Sequence, residues 1–78
     1  MANKNVYKFE IIEKAIVARP FETKEEVVEL AKKMCEIADE NENYSNDVKQ
    51  AFKDAYNEIK NELTLANLQE IRKIITED

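Results

Sequence analysis

Histidine, glycine and tryptophan are absent from this chain, and proline and cysteine occur once each. Each absence removes a class of chemistry. Without histidine there is no imidazole to act as general base near neutral pH, and the commonest metal ligand is missing. One cysteine and no histidine cannot assemble a structural zinc site within a single chain. Without glycine there is no phosphate-cradling loop and no dinucleotide fingerprint. Hairpin-rich folds also lose the residue that supplies their positive-φ turns. A lone cysteine forms no internal disulfide, so no secreted, disulfide-stapled framework is implied. No apolar run is long enough to span a bilayer, and the N-terminus lacks a signal-peptide core. No cofactor and no metal are expected, and an enzyme is disfavoured.

What is present points to helices. The 78 residues are 44% hydrophobic and 37% charged, with a net charge of −5. Their length fits a single small domain, residues 1–78, with a modest core. The acidic balance weighs against nonspecific binding to a nucleic-acid backbone. The expected location is the cytoplasm. Heavy use of Lys, Glu, Asn and Ile resembles the coding of AT-rich bacterial and phage genomes.

The clearest element is Thr23 to Glu40. Thr23 is a good N-cap, and Glu26, three residues on, completes a capping box. Glu25 and Glu26 place negative charge at the positive end of the helix dipole. Val27, Val28, Leu30, Ala31, Met34, Cys35, Ile37 and Ala38 then cover roughly half the helix circumference. A stripe that wide predicts a central helix packed by at least two neighbours.

Residues 1–5 read as a frayed end. Val6 to Ala18 reads two ways. As a helix it offers a Glu10–Lys14 pair and a face containing Val6, Phe9, Ile12 and Ile16. As a strand over 6–12, Tyr7, Phe9 and Ile11 alternate with Lys8 and Glu10, and the edge would pair with another chain. Pro20 ends the segment. Phe21 is placed to pack back on Val27 or Val28 as a hydrophobic staple. Asn41 to Ser45 is a polar turn, with Asn as the residue for a left-handed helix end. Ser45 or Asn46 caps a third helix, about 46–63. Its seam is Val48, Ala51, Phe52, Ala55, Tyr56, Ile59 and Leu63. Thr64 caps a fourth, about 65–76, and the short connection predicts that helices three and four are antiparallel neighbours. The fold expectation is an all-α bundle of three to four helices, with Thr23 to Glu40 at its centre. The alternative is α+β with the N-terminal strand.

Three constellations bear on function. Asp39, Asn41, Asn43 and Asp47 follow the opening of a calcium-binding loop, but Tyr44 stands where the bend needs glycine and Gln50 where a bidentate Glu is needed. A polar helix–helix turn is the better reading. Glu22, Glu25, Glu26 and Glu29 cluster at a helix start, where capping explains them; an acidic docking patch is the functional alternative. Lys49, Lys53 and Lys60 form a basic stripe beside Tyr56, opposed by an acidic flank of Asp47, Asp54, Glu58 and Glu62. That balance weighs against nucleic-acid contact. Cys35 lies inside an apolar stripe and reads as a small buried hydrophobe.

The favoured function is a non-enzymatic protein-interaction module, an inhibitor or adaptor that binds a larger macromolecule, of the kind phages and mobile elements encode. Its partner would be another protein, with no membrane involved. The candidate contacts are Tyr7, Phe9, Ile11 and Ile12 on the first segment, with Tyr44 at the loop tip. The alternatives are a self-assembling homodimer and a nucleic-acid-binding accessory protein.

Overall fold

The computed structural model describes the backbone of residues 4–77 and the side chains of residues 7–77. It contains four helices and, among the described residues, no strand: α1 (Lys4–Val17), α2 (Lys24–Glu40), α3 (Asn46–Asn57) and α4 (Leu65–Thr76). A π turn, Glu58–Glu62, continues α3. The chain is an all-α bundle, and residues 6–12 belong to α1 rather than to a strand. The helix wins because it gathers Ile11, Ile12, Ala15 and Ile16 on one buried stripe. Strand alternation would send Ile11 and Ile12 to opposite faces. Of the expected frayed end, residues 1–3 lie outside the described residues, while Lys4 and Asn5 open α1.

The helix starts are built as the side chains dictate. The Glu26 carboxylate accepts from the backbone N–H of Glu22 at 2.8 Å and of Thr23 at 3.4 Å. Ser45 Oγ accepts from the Val48 N–H at 3.3 Å. Thr64 and Asn67 form a reciprocal box, at 3.1 and 3.0 Å. Each contact satisfies an N–H that the first helical turn leaves free.

The helix ends are handled differently from expectation. No described residue has positive φ, and Asn41 is extended (φ −86, ψ 109), its N–H donating to the Ala38 carbonyl at 3.2 Å. With no glycine available, two ends are closed by cations from other helices. Arg72 of α4 donates to the carbonyls of Ile16 at 3.1 Å and Arg19 at 3.4 Å, closing α1. The Lys24 ammonium of α2 donates to the Lys60 carbonyl at 2.8 Å, closing the π turn. Positive charge suits both places, because a helix C-terminus carries the negative end of the dipole. These two contacts also tie distant parts of the chain together.

The π turn ends α3 by a wide loop of backbone, the Leu63 N–H donating to the Glu58 carbonyl at 3.0 Å. Leu63 is then extended (φ −94, ψ 137) and delivers Thr64 to its cap position.

The centre of the bundle is not α2. The most extensive packing is between α1 and α3; α1 also meets α2 and α4, and α3 also meets α2. α4 lies mainly on α1 and not beside α3, although it follows α3 closely in sequence. The seam of α3 is already occupied by α1 and α2, so α4 finds its apolar cover on α1. α2 runs antiparallel to α3, and the start of α1 lies at the end of α3. Lys8 of α1 meets Glu58 at 3.2 Å, Lys24 of α2 meets Lys60, and Asp39 at the far end of α2 approaches Lys53 at 4.0 Å.

The core explains this arrangement. It consists of Ile11, Ile12, Ala15, Ile16, Val27, Ala31, Ala51, Ala55, Ile59 and Leu68. Four of these are alanines, distributed over α1, α2 and α3. Small residues let helix axes approach at the short end of the usual 8–10 Å range. Phe21, Val28, Met34, Phe52, Tyr56, Leu63 and Ile71 seal the edges. Among the described residues no buried side-chain nitrogen or oxygen lacks a partner.

Candidate functional site

α2 buries Val27, Ala31 and Ala38 on one line and leaves the adjoining line only partly covered. On that second line sit Leu30, Met34 and Ile37, spaced by four and three residues, so they form a row along one face. Leu30 and Met34 are half-buried. Ile37 is 65% exposed, the largest exposure among the big apolar side chains of the described residues. The wide stripe seen in the sequence does meet more than one neighbour, α3 chiefly and α1 and the π turn more lightly, and its cover gives out at Ile37.

Beside this row lies an open hollow of about 230 Å³, lined by Lys14, Met34, Ile37, Ala38, Tyr44 and Phe52. α1 contributes the lysine, α2 the aliphatic wall, and α3 with its preceding loop the aromatic end. Tyr44 is held there. Its ring stacks on Phe52 with centroids 5.9 Å apart and planes inclined by 20°. Its N–H donates to the Asn41 carbonyl at 3.2 Å, and Asn41 Oδ1 in turn accepts from the Asn43 N–H at 2.9 Å. Tyr7 lies seven residues before Lys14, two helical turns away on the same face of α1.

The structure divides the five side chains singled out as partner contacts. Tyr7 and Tyr44 are each 39% exposed, and Phe9 is more open still. Ile11 and Ile12 are 7% and 4% exposed and belong to the core, so they are not surface contacts. Their burial supplies α1 with its grip on α3. Phe9 sits on the opposite flank of α1 from Tyr7, with the Lys8 ammonium 5.3 Å from its ring centroid. Tyr44 lines the hollow with Lys14, whose face of α1 also carries Tyr7 two turns away, while Phe9 lies off that face. The residues the sequence reading missed are Lys14, Met34, Ile37 and Phe52. The available signal was the excess width of the α2 stripe.

The charged constellations are engaged in structural contacts. Asp39 approaches Lys53, and Asn41 caps its own turn, so two positions of the apparent calcium loop have protein partners. No group of three or more potential metal-ligating side chains occurs among the described residues. Of the basic stripe, Lys49 is half-buried, Lys53 faces Asp39, and Lys60 lies 5.7 Å from the Tyr56 ring centroid. The groove around Tyr56 collects Lys24, Lys32 and Lys60 but also Glu25 and Glu29, so its charge is mixed. Glu26 is occupied in capping.

Cys35 is half-buried and its thiol donates to the Phe52 carbonyl at 3.0 Å. Burial pushes its pKa up, the Asp39 carboxylate adds to the rise, and Lys53 partly opposes it. A raised thiol pKa keeps the group protonated and weakly nucleophilic at neutral pH. The sign for stability follows. The folded state holds this proton more tightly than the unfolded state, so the contribution is intact below the ordinary thiol range. It is lost as pH rises above that range and through the raised value of the folded state.

No helix among the described residues is long and apolar enough to cross a membrane. Comparison of the chain with protein-family models, with curated proteins and with solved structures found no match.

Proposed function

We propose that this protein acts by binding another protein, through the face that Tyr7, Lys14, Met34, Ile37 and Tyr44 make on α1, α2 and the following loop. The observation that carries the reading is Ile37. A large aliphatic side chain left 65% exposed, beside a hollow with an aromatic end, gains its apolar burial only when something covers it. Tyr44 suits an interface because it is rigid, large and polar at its tip. It is already ordered against Phe52, so docking costs little side-chain entropy. Lys14 supplies one charge at the rim, which orients a partner more than it adds affinity.

Action by occupation of a partner's surface is the mode of an inhibitor or adaptor, and it asks for no catalytic group. The bacterial or phage setting rests on residue usage. The nucleic-acid reading has less support, because Lys53 of the stripe approaches Asp39 and Lys60 shares its groove with Glu25 and Glu29.

The test is affinity capture with three tagged baits: wild type, Ile37→Asp and Ile74→Asp. Ile74 is the control, since it is 63% exposed but lies on α4, away from the hollow. A protein recovered at near-stoichiometric yield by wild type and Ile74→Asp, and reduced at least ~10-fold by Ile37→Asp, is the expected result. A loss of ~10-fold corresponds to about 1.4 kcal/mol of binding. Equal recovery by Ile37→Asp, or loss with Ile74→Asp instead, would refute the assignment of this face.

A further inference from the structure

We infer that α4 opens as a unit, swinging about Leu63 and Thr64 while α1, α2 and α3 stay packed, with Arg72 as its latch. This movement is separate from the binding face beside Ile37, since α4 contributes no residue to the hollow there.

The core is divided unevenly. Of the ten residues in the buried cluster, Leu68 alone comes from α4, and the other nine belong to α1, α2, α3 and the π turn. Those three helices each pack on both of the others, whereas α4 rests mainly on α1. Leu65, Ile71 and Ile75 of α4 are only half-buried. An element with few neighbours and little fully buried apolar surface opens at a lower free energy than the core it lies on.

The polar contacts follow the same division. Among the described residues, Arg72 makes the only side-chain hydrogen bonds from α4 to the rest of the fold, to the carbonyls of Ile16 at 3.1 Å and Arg19 at 3.4 Å. The others are internal: Thr64 with Asn67 at its start, and the Thr76 hydroxyl with the carbonyls of Arg72 and Lys73 at its end. α4 therefore keeps its own cap and its own last turn when it leaves α1. Arg72 lies towards the end remote from Leu63, where a charged donor holds the helix down most effectively.

The connection has a fixed side and a free side. Leu63 is extended between the π turn and the Thr64 cap. Behind it the π turn is tied to two helices, by Lys8 of α1 on the Glu58 carboxylate at 3.2 Å and by Lys24 of α2 on the Lys60 carbonyl at 2.8 Å. A change at a few backbone dihedrals then moves α4 as a rigid body. Opening withdraws Leu68 from the cluster and frees the carbonyls of Ile16 and Arg19, so α4 is a lid over latent apolar surface.

Native-state hydrogen exchange of the purified chain tests this, followed amide by amide by NMR in urea below the unfolding transition. The amides of residues 68–75 are expected to share one opening, at least ~10-fold more frequent than that of the slowest α3 amides. Its urea dependence should be weaker, because less surface is exposed. Two variants separate a lid from a single cooperative fold. Ser45→Ala removes the cap of α3, which stays formed when α4 opens. It should speed the slowest α3 amides roughly 5-fold and leave α4 unchanged. Arg72→Ala removes contacts that are lost in both openings, so it should speed α4 and α3 alike, by at least ~10-fold. Overturning results are α4 amides as slow as those of α3, or α4 amides that speed up in Ser45→Ala. A gradient of rates towards Thr76 with no urea dependence is fraying of a helix end and also overturns the lid. Unchanged α4 exchange in Arg72→Ala overturns the latch.

Discussion

Ile16→Asp is expected to abolish the cooperative fold. Ile16 has no exposed surface and sits where α1 meets the rest of the core. Its backbone carbonyl accepts from Arg72, which anchors α4 to the end of α1. The substitution removes a large aliphatic side chain and places a carboxylate within the apolar core cluster. Losing the aliphatic packing alone costs about 2–5 kcal/mol. An unpaired buried charge adds several more unless the site takes up a proton. A domain of this length has a total stability of about 4–12 kcal/mol, so the sum is comparable with the whole. Far-UV circular dichroism should show weak helicity with no sharp thermal transition. Cooperative unfolding near the wild-type midpoint would contradict the placement of α1 at the centre.

Ala55→Leu is expected to be the second most damaging change, and for the opposite reason. Ala51 and Ala55 of α3, Ala15 of α1 and Ala31 of α2 are all buried in one cluster. The helices approach closely because these side chains are small. A leucine at position 55 inserts an isobutyl group into a contact with no room for it, forcing the helices apart or the side chain off its rotamers. The cost is about 1–3 kcal/mol, which for a domain of this size lowers the thermal midpoint by roughly 5–20 °C. Ala66→Leu on α4 is the control, because Ala66 is exposed. A melt in which the two variants behave alike would show that the alanine contact is loose and that α1–α3 packing does not define the fold.

These two expectations also mark where sequence reasoning stops. The helix starts were legible because each cap is a local arrangement: Thr23 with Glu26, Ser45 before its helix, Thr64 before Leu65. The choice of neighbours was not. A helical wheel measures how wide an apolar stripe is, but not what covers it. Thr23 to Glu40 has the widest stripe, so it was expected at the centre. The structure instead centres on α1 and α3, whose contact is built largely from isoleucine and alanine. Alanine adds little to an apolar pattern, so the tightest helix contact was the least visible. The same limit affected Ile11 and Ile12. The excess apolar character of α1 was assigned to an interface, whereas most of it faces three other helices of the same chain. Arg72 closes α1 rather than its own helix, fifty-six residues away in sequence from its acceptor Ile16. Ile37 passed for a core residue because its periodicity is that of the core. Only the packing of α2 reveals that its side of the stripe faces water.

The binding-face account depends on Ile37 being dispensable for folding. The most direct measurement is the thermal midpoint of Ile37→Asp by circular dichroism, made at high dilution so that association adds nothing to stability. The account predicts a cooperative transition within about 4 °C of wild type, as for a surface substitution that changes stability by about 0.5 kcal/mol or less. A fall of more than about 10 °C, or loss of the transition, would place Ile37 in the core and remove the surface on which the proposed function rests.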